Sequence, residues 1–92
     1  MKVGELLADP AHWTKHAMAR DAFGTVIRIN SPNATCWCLL GAIRHCYKSL
    51  PDIDSICDRI YAELPRSGIT SFNDNSETTH ADIIAICNKL NI

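Results

Sequence analysis

Five cysteines in 92 residues are the most conspicuous candidates for chemistry in this chain. An odd number of thiols cannot all pair, so at least one stays free under full oxidation. Cys36 and Cys38 flank Trp37, a spacing that invites a redox or metal-binding interpretation. On the helix predicted for this segment, residues two apart point about 200° away from each other, so the two sulfurs would not converge on one metal. We therefore interpret the cysteines as small hydrophobic residues of the core.

Histidines and nucleophiles give a weaker signal. His12 and His16 are four residues apart and would share a helix face, but nothing marks the further ligands that a metal needs. An acyl-transfer nucleophile needs a base and an orienting acid, and no nucleophile motif or glycine-rich oxyanion loop surrounds any Ser or Cys. The four glycines are scattered rather than gathered in a phosphate-binding motif. The sequence therefore predicts no catalytic residue, no metal and no cofactor.

Aromatic and cationic residues form the first candidate binding surface. Trp37 and Arg44 are seven residues apart and therefore nearly in line on the predicted central helix, and Lys48 follows four residues later. An aromatic ring beside cations is typical of an interface anchor, which assigns these three residues to binding. In the alternative interpretation Trp37 packs beneath the N-terminal hairpin, Gly41 permits close backbone approach, and the two cations are merely solvated.

Phe72, Asn73 and Asp74 form the second candidate, near the end of a polar segment, residues 65–78, that is rich in turn formers. Such a long loop is often a binding site, and its tip would present amide and carboxylate groups beside Thr79 and His80. The N-terminus of the last helix would favour an anionic ligand there, whereas Asp74 would oppose it. Alternatively, Asn73 and Asp74 form an Asx turn and Phe72 enters the core.

Two long helices are predicted to position these side chains. Apolar residues recur with helical spacing from Cys36 to Leu50, which predicts the central helix, and Pro51 is expected to end it. A second helix is predicted to begin at Asp52, to carry one clean apolar stripe, and to end before Pro65.

The remaining elements are shorter or lie at the ends of the chain. Thr79 is predicted to begin the last main helix, with Asp82 completing a capping box. Val3–Ala8 is predicted to form a helical turn, and Asp9 to cap a second one with Pro10 at its first position.

A turn at residues 21–24, followed by β-branched residues, is most economically interpreted as a small β-hairpin within residues 17–28. The predicted fold class is therefore mainly α, either a small α or a small α+β fold. It has three main helices, short N-terminal helical turns and at most one hairpin. A chain of 92 residues is expected to form one domain over residues 1–92.

Composition narrows the class of partner. Hydrophobic residues are 47% and charged residues 21%, as in ordinary globular proteins. Nine Lys and Arg against ten Asp and Glu give a net charge of −1, so nothing favours direct contact with nucleic acid or an acidic membrane. No segment approaches the ~18–20 apolar residues of a membrane span, and the first ten residues do not resemble a signal peptide. We expect a cytoplasmic protein.

Residues 37–42 read Trp-Cys-Leu-Leu-Gly-Ala, and Asn73-Asp74 is followed after four residues by Thr79. This pattern resembles an uncharacterised family, a domain of unknown function, of small bacterial and bacteriophage proteins with a WCxxGA helix and a later ND-x4-T loop. The segment from residue 12 to residue 24 is also similar to that family. The resemblance implies a fold and a phage-linked gene context, and it supplies no activity or catalytic residue.

These observations favour a small non-enzymatic protein-interaction module, encoded by a phage or mobile element. We expect it to bind and inhibit a host protein, such as a defence component, in the host cytoplasm. A homodimer is compatible with the sequence. The alternative is a small-ligand-binding protein or minor enzyme that uses the corner formed by Asn73-Asp74 and Thr79-His80.

Overall fold

The computed structural model describes residues 1–64 and 68–92, which form five α-helices, one 3-10 helix and a two-stranded antiparallel sheet. Three of the helices have eight or more residues, so the predicted small α+β fold with three main helices is confirmed. In chain order the elements are α1 (Val3–Leu6), the 3-10 helix (Pro10–His12), β1 (Ala19–Asp21), β2 (Ala34–Trp37), α2 (Leu39–Cys46), α3 (Leu50–Glu63), α4 (Ile69–Asp74) and α5 (His80–Leu90).

Local capping signals are confirmed at two helix starts. The Asp9 carboxylate accepts the N–H of Ala11 at 2.9 Å, and Pro10 begins the 3-10 helix. At α5 the Thr79 hydroxyl accepts the N–H of Asp82 at 3.3 Å, while the Asp82 carboxylate accepts the N–H of Thr79 at 2.9 Å. Both motifs work because they satisfy N–H groups that have no partner within the helix itself.

The predicted central helix from Cys36 to Leu50 is wrong at its beginning. Cys36 and Trp37 belong to β2, which pairs with β1 so that Ala19 lies opposite Trp37. The helix α2 begins only at Leu39. The apolar residues do recur with helical spacing, but this segment is held extended by its hydrogen bonds to β1. Because β1 lies about fifteen residues earlier in the chain, the pairing leaves no signal in the local sequence.

The same prediction is wrong at its other end. The helix α2 stops at Cys46, residues 47–49 are not helical, and Leu50 already begins α3. Pro51 therefore lies in the first turn of α3 instead of ending α2, a position where the missing N–H of proline costs nothing. The predicted end of α3 at Pro65 lies outside the described residues.

The predicted turn after β1 forms, because the Asp21 carboxylate accepts the N–H groups of Phe23 and Thr25 at 2.9 and 3.0 Å. The returning chain makes two backbone hydrogen bonds to β1, one of them from Ile27 N–H to Ala19 O at 3.1 Å. The chain then leaves β1, and the second strand of the sheet is β2, on the other side of β1. The hairpin prediction thus placed the turn correctly but missed the pairing of β1 with β2.

The polar segment that was predicted as a loop contains a helix. Residues Ile69–Asp74 form α4, and Ile69 is buried in the core. Residues 65–67 of that prediction lie outside the described residues. Because α4 has only six residues, its stability comes from tertiary contacts rather than from the helix propensity of its Thr, Ser and Asn residues.

The core lies where α1, α2, α3 and α5 meet the sheet.

The five cysteines form no disulfide, and burial raises the pKa of the Cys87 thiol to about 11 and also raises the pKa of Cys38. These thiols are therefore neutral near pH 7, as expected of core-filling residues. No helix among the described residues is long and apolar enough to cross a membrane. The largest fully buried side chains are those of Val3, Leu7, Leu39, Ile43, Ile60, Asn73, Ile83 and Cys87.

Candidate functional site

Asn73 is a buried structural hub and neither the tip of a loop nor part of an Asx turn. Its side chain is 0% exposed, and its Oδ1 accepts the indole N–H of Trp13 at 2.7 Å and the backbone N–H of Leu39 at 2.9 Å. Its Nδ2 donates to Thr14 O at 3.1 Å and to Asp74 Oδ1 at 2.9 Å. The amide thus uses both its acceptor sites and both its donors inside the protein. The Asn73 side chain thus connects the segment after the 3-10 helix and the start of α2 to the end of α4.

Asp74 extends this hub to the solvent. Its carboxylate accepts the backbone N–H of His16 at 2.9 Å and lies 3.8 Å from His16 Nδ1. His16 adopts a left-handed conformation with φ of 65°, which a non-glycine residue holds only when its surroundings compensate. Partial burial alone would raise the pKa of Asp74, but the hydrogen bonds from His16 and Asn73 and the nearby charges outweigh it and lower that pKa.

The stability of the fold is expected to depend on the charge of Asp74. Because its pKa is lower in the folded chain than in the unfolded chain, its contribution is present above about pH 4 and is lost as the pH falls through the folded pKa. We expect wild-type protein to lose more stability than Asp74→Asn between pH 5 and pH 2.5. Urea unfolding at both pH values measures this difference, and equal losses would contradict the assigned role of Asp74.

His80 and Thr79 also use their polar atoms internally. The His80 imidazole Nε2 donates to Leu7 O at 2.6 Å, and its ring lies 6.2 Å from that of Trp13. Thr79 caps α5, as described above. The predicted corner therefore does come together around Trp13, but its groups are engaged in holding α1, α4 and α5. Phe72 is half-buried and lines a separate cavity of about 290 Å³ between α4 and α5.

Trp37 is not an exposed anchor. Its side chain is 7% exposed, because it lies on a strand whose face points into the protein rather than on the outer face of a helix. Its indole N–H donates to Ile29 O at 2.9 Å, and its ring packs on His45 with centroids 4.8 Å apart. Trp37 is therefore buried against the chain at Ile29 and the ring of His45.

Gly41 permits the close approach that the sequence suggested. A Cβ on Gly41 would lie 2.0 Å from the backbone oxygen of Met18. That same oxygen accepts the N–H of Cys38 at 3.3 Å, and the Cys38 thiol in turn accepts the N–H of Gly41. The start of α2 is therefore pressed against the chain that enters β1, and only glycine fits there.

Side chains of α2 and the residues after it hold the connection between the two strands. The imidazole Nδ1 of His45 lies 2.9 Å from Ile29 O and 3.0 Å from Asn30 Oδ1. Lys48 donates its Nζ hydrogens to Asn30 Oδ1 at 2.9 Å and to the backbone oxygen of His45 at 2.8 Å. Together with Trp37, these residues fix the position of residues 29–30. Lys48 thus acts as a positioning residue, although it is exposed.

A cavity of about 630 Å³ lies between this connection and α2. Its volume is in the range of typical ligand clefts, about 300–1,000 Å³. Arg28 and Arg44 both line it and are both exposed, and neither forms a side-chain hydrogen bond or ion pair among the described residues. No carboxylate from the described part of the chain lines it. We call this cavity the arginine pocket; its lining residues are Met18, Val26, Ile27, Arg28, Ile29, Asn30 and Arg44.

Two apolar side chains of the connection are highly exposed. Phe23, in the turn after β1, is 93% exposed, and Val26, three residues later on the wall of the pocket, is 63% exposed. We call the exposed segment that carries Phe23, Val26 and Arg28 the loop face. Sequence reasoning missed all three, although a Phe inside a turn held by Asp21 and Gly24 is a signal of an exposed aromatic side chain.

The two histidines that could have shared a metal do not share a helix. The 3-10 helix ends at His12, and His16 lies beyond it in its left-handed conformation. In residues 1–64 and 68–92, no group of three or more His, Cys, Asp or Glu side chains is arranged to hold a metal ion.

Fold and site together define a small α+β domain with a largely apolar surface cavity lined by Arg28 and Arg44, which have no side-chain partner among residues 1–64 and 68–92. A model of a family of unknown function, DUF6197, matches residues 2–90. The chain belongs to this family, so the predicted resemblance to an uncharacterised family is confirmed, while its bacterial or bacteriophage origin stays a prediction. Comparisons with curated proteins and with solved structures gave no match.

Proposed function

We propose that this chain is a non-enzymatic interaction module that binds a partner protein through the loop face. The observation that carries the proposal is that Phe23 is 93% exposed and Val26, three residues later in the same connection, is 63% exposed. Burying a side chain of this size is worth about 1.5–3 kcal/mol, so two exposed apolar side chains in one short segment can anchor an interface.

The loop face is preorganised, which supports the same proposal. The Asp21 carboxylate holds the turn that carries Phe23, and Arg20 donates to Gly24 O at 2.9 Å in the same turn. At the other end, Trp37 and His45 fix Ile29. A segment held at both ends loses little conformational entropy when it binds, so more of the contact energy appears as affinity.

The finer features of the proposed function come from the sequence. A small chain with a net charge of −1 suits binding to a protein better than binding to nucleic acid or a membrane surface. The proposed partner is a host protein, such as a defence component, which the module inhibits in the host cytoplasm. The gene would belong to a phage or mobile element. A homodimer through the same face would compete with that partner.

Affinity capture from the native host tests the proposal. We expect the double variant Phe23→Ser and Val26→Ser to lose capture of a specific protein by about tenfold or more, because it removes two apolar anchors. Leu50→Ser is the control, since Leu50 is 72% exposed at the start of α3 and does not line the arginine pocket.

Two measurements make this test decisive. Thermal unfolding must show that both variants keep the wild-type melting temperature within a few degrees. The captured protein is then purified, and its dissociation constant is measured by calorimetry with each variant. Equal affinity for wild type and the double variant would contradict the proposal, as would equal losses in the double variant and in Leu50→Ser.

A further inference from the structure

We infer that the arginine pocket receives an acidic–apolar segment of the partner protein, with an apolar side chain in the cavity and carboxylates on Arg28 and Arg44. The inference rests on the proposed function and names the chemistry of the partner. It is based on one observation of the described residues: two guanidinium groups without a partner line the same cavity as four apolar side chains, and no acidic side chain of those residues lines it.

The walls of the pocket suit an apolar side chain. Val26, Ile27 and Ile29 supply branched aliphatic surface, and Met18 supplies a flexible, polarizable wall that adapts to different shapes. The volume of about 630 Å³ is larger than one side chain needs, so it accommodates a side chain together with the flanking groups of a peptide.

The positive charges of the pocket favour a partner segment that carries negative charge. The chain as a whole carries a net charge of −1, yet Arg28 and Arg44 have no acidic partner among the described residues. A guanidinium offers its donors in a fork that matches a carboxylate, and such pairs gain strength when they are partly desolvated. Lys48, which is bonded to Asn30 on the pocket wall, adds a third positive charge nearby.

Continuity with the loop face favours a protein segment over a free small molecule as the occupant. Val26 lines the pocket and is 63% exposed, and Phe23, three residues earlier in the same connection, is 93% exposed. A small molecule in the pocket would leave Phe23 in water, whereas a chain that crosses the loop face would cover Phe23 and fill the pocket in one interface.

Labelled peptides of about ten residues test the inference directly. The probe carries a central Leu-Phe pair flanked by Asp and Glu, and two counterparts carry Lys in place of the acids or Ser in place of the apolar pair. By fluorescence anisotropy we expect the probe to bind about tenfold tighter than either counterpart. We also expect its affinity to fall as salt rises from 50 to 300 mM, because the pairs at the rim are screened.

Charge-neutral variants assign that binding to the pocket. The double variant Arg28→Gln and Arg44→Gln keeps side chains of similar length, and we expect it to lose about tenfold in affinity for the probe. The control is Arg59→Gln with Lys89→Gln, which removes the same total charge from exposed positions on α3 and α5. Because Arg59 donates to Leu90 O and Lys89 pairs with Glu63, this variant must first be shown to keep the wild-type melting temperature within a few degrees. Equal losses in the two double variants would overturn the inference.

Failure of the inference is distinguishable from failure of the proposed function. If the purified partner binds Arg28→Gln with Arg44→Gln as tightly as wild type but loses affinity for the Phe23 and Val26 variant, the function stands and the inference falls. A probe that binds no tighter than its lysine counterpart also overturns it. Octanoate is a free apolar carboxylate and provides the last check. If octanoate raises the melting temperature of wild type but not that of Arg28→Gln with Arg44→Gln, and does not compete with the partner, the inference is also overturned.

Discussion

Replacing Asn73 with leucine is expected to destabilise the fold by about 3–6 kcal/mol, a large part of the roughly 5–15 kcal/mol that holds a typical domain together. Leucine has nearly the same size, so the core keeps its volume. The variant instead leaves the Trp13 indole N–H, the Leu39 N–H and the Thr14 oxygen without the partner they have in the native fold. Each buried polar group without a partner costs about 1–3 kcal/mol.

Urea unfolding followed by far-UV circular dichroism measures this loss. Asn88→Leu is the matched control, because Asn88 is exposed on α5 and the same change there should alter stability by less than about 0.5 kcal/mol. The indole of Trp13 adds a local readout, since its emission should shift to longer wavelength if the hub opens. A similar small effect in both variants would contradict the structural role of Asn73.

Local signals were sufficient to predict the elements that are stabilised locally. The capping box at Thr79 and Asp82 and the cap at Asp9 are interactions over two or three residues, and the structure has both. The apolar stripe of α3 is likewise a property of one segment, although the helix begins two residues earlier than predicted. In each case the pattern and the stabilising contact lie in the same stretch of sequence.

Elements held by distant partners could not be predicted in this way. The strand β2 looks like the first turn of a helix, and only its pairing with β1 extends it. Asn73 and Asp74 are turn-forming residues by type, and their roles come from Trp13, Thr14 and Leu39, which lie 34–60 residues away in sequence. Such contacts appear only when the chain is folded, and a local pattern contains no trace of them.

Only part of the candidate site could be predicted from the sequence, because most of its geometry depends on contacts between distant segments. Arg44 lines the pocket, as its place on the outer side of α2 suggested, and Lys48 lies close by. Trp37 contributes by holding the pocket wall at Ile29, a role that depends on its being in a strand. Phe23 and Arg28 come from a connection whose path is set by contacts with α2 and which no periodic pattern describes.

Replacing Gly41 with alanine is the second change with a large expected effect. We expect it to destabilise the fold, whereas helix propensity alone would predict that it stabilises α2. Alanine should stabilise the interior of a helix by about 1 kcal/mol relative to glycine. At this position a Cβ would lie 2.0 Å from Met18 O and 2.9 Å from the Met18 carbonyl carbon, both of them backbone atoms that cannot rotate away. We expect a net loss of about 2–4 kcal/mol, because overpacking here forces α2 away from the chain that enters β1.

Thermal unfolding of Gly41→Ala measures this loss, and Gly68→Ala is the control, since a Cβ on Gly68 would meet open space. The control should lose no more than about 1 kcal/mol, because Gly68 is the N-cap of α4, where glycine is preferred to alanine, and its φ of −72° is one that alanine adopts without strain. Since Met18 also lines the arginine pocket, Gly41→Ala should weaken binding of the acidic–apolar peptide as well as the fold. A Gly41→Ala protein as stable as wild type would show that α2 and the Met18 backbone are not in contact. In that case the wall of the pocket would also lie elsewhere.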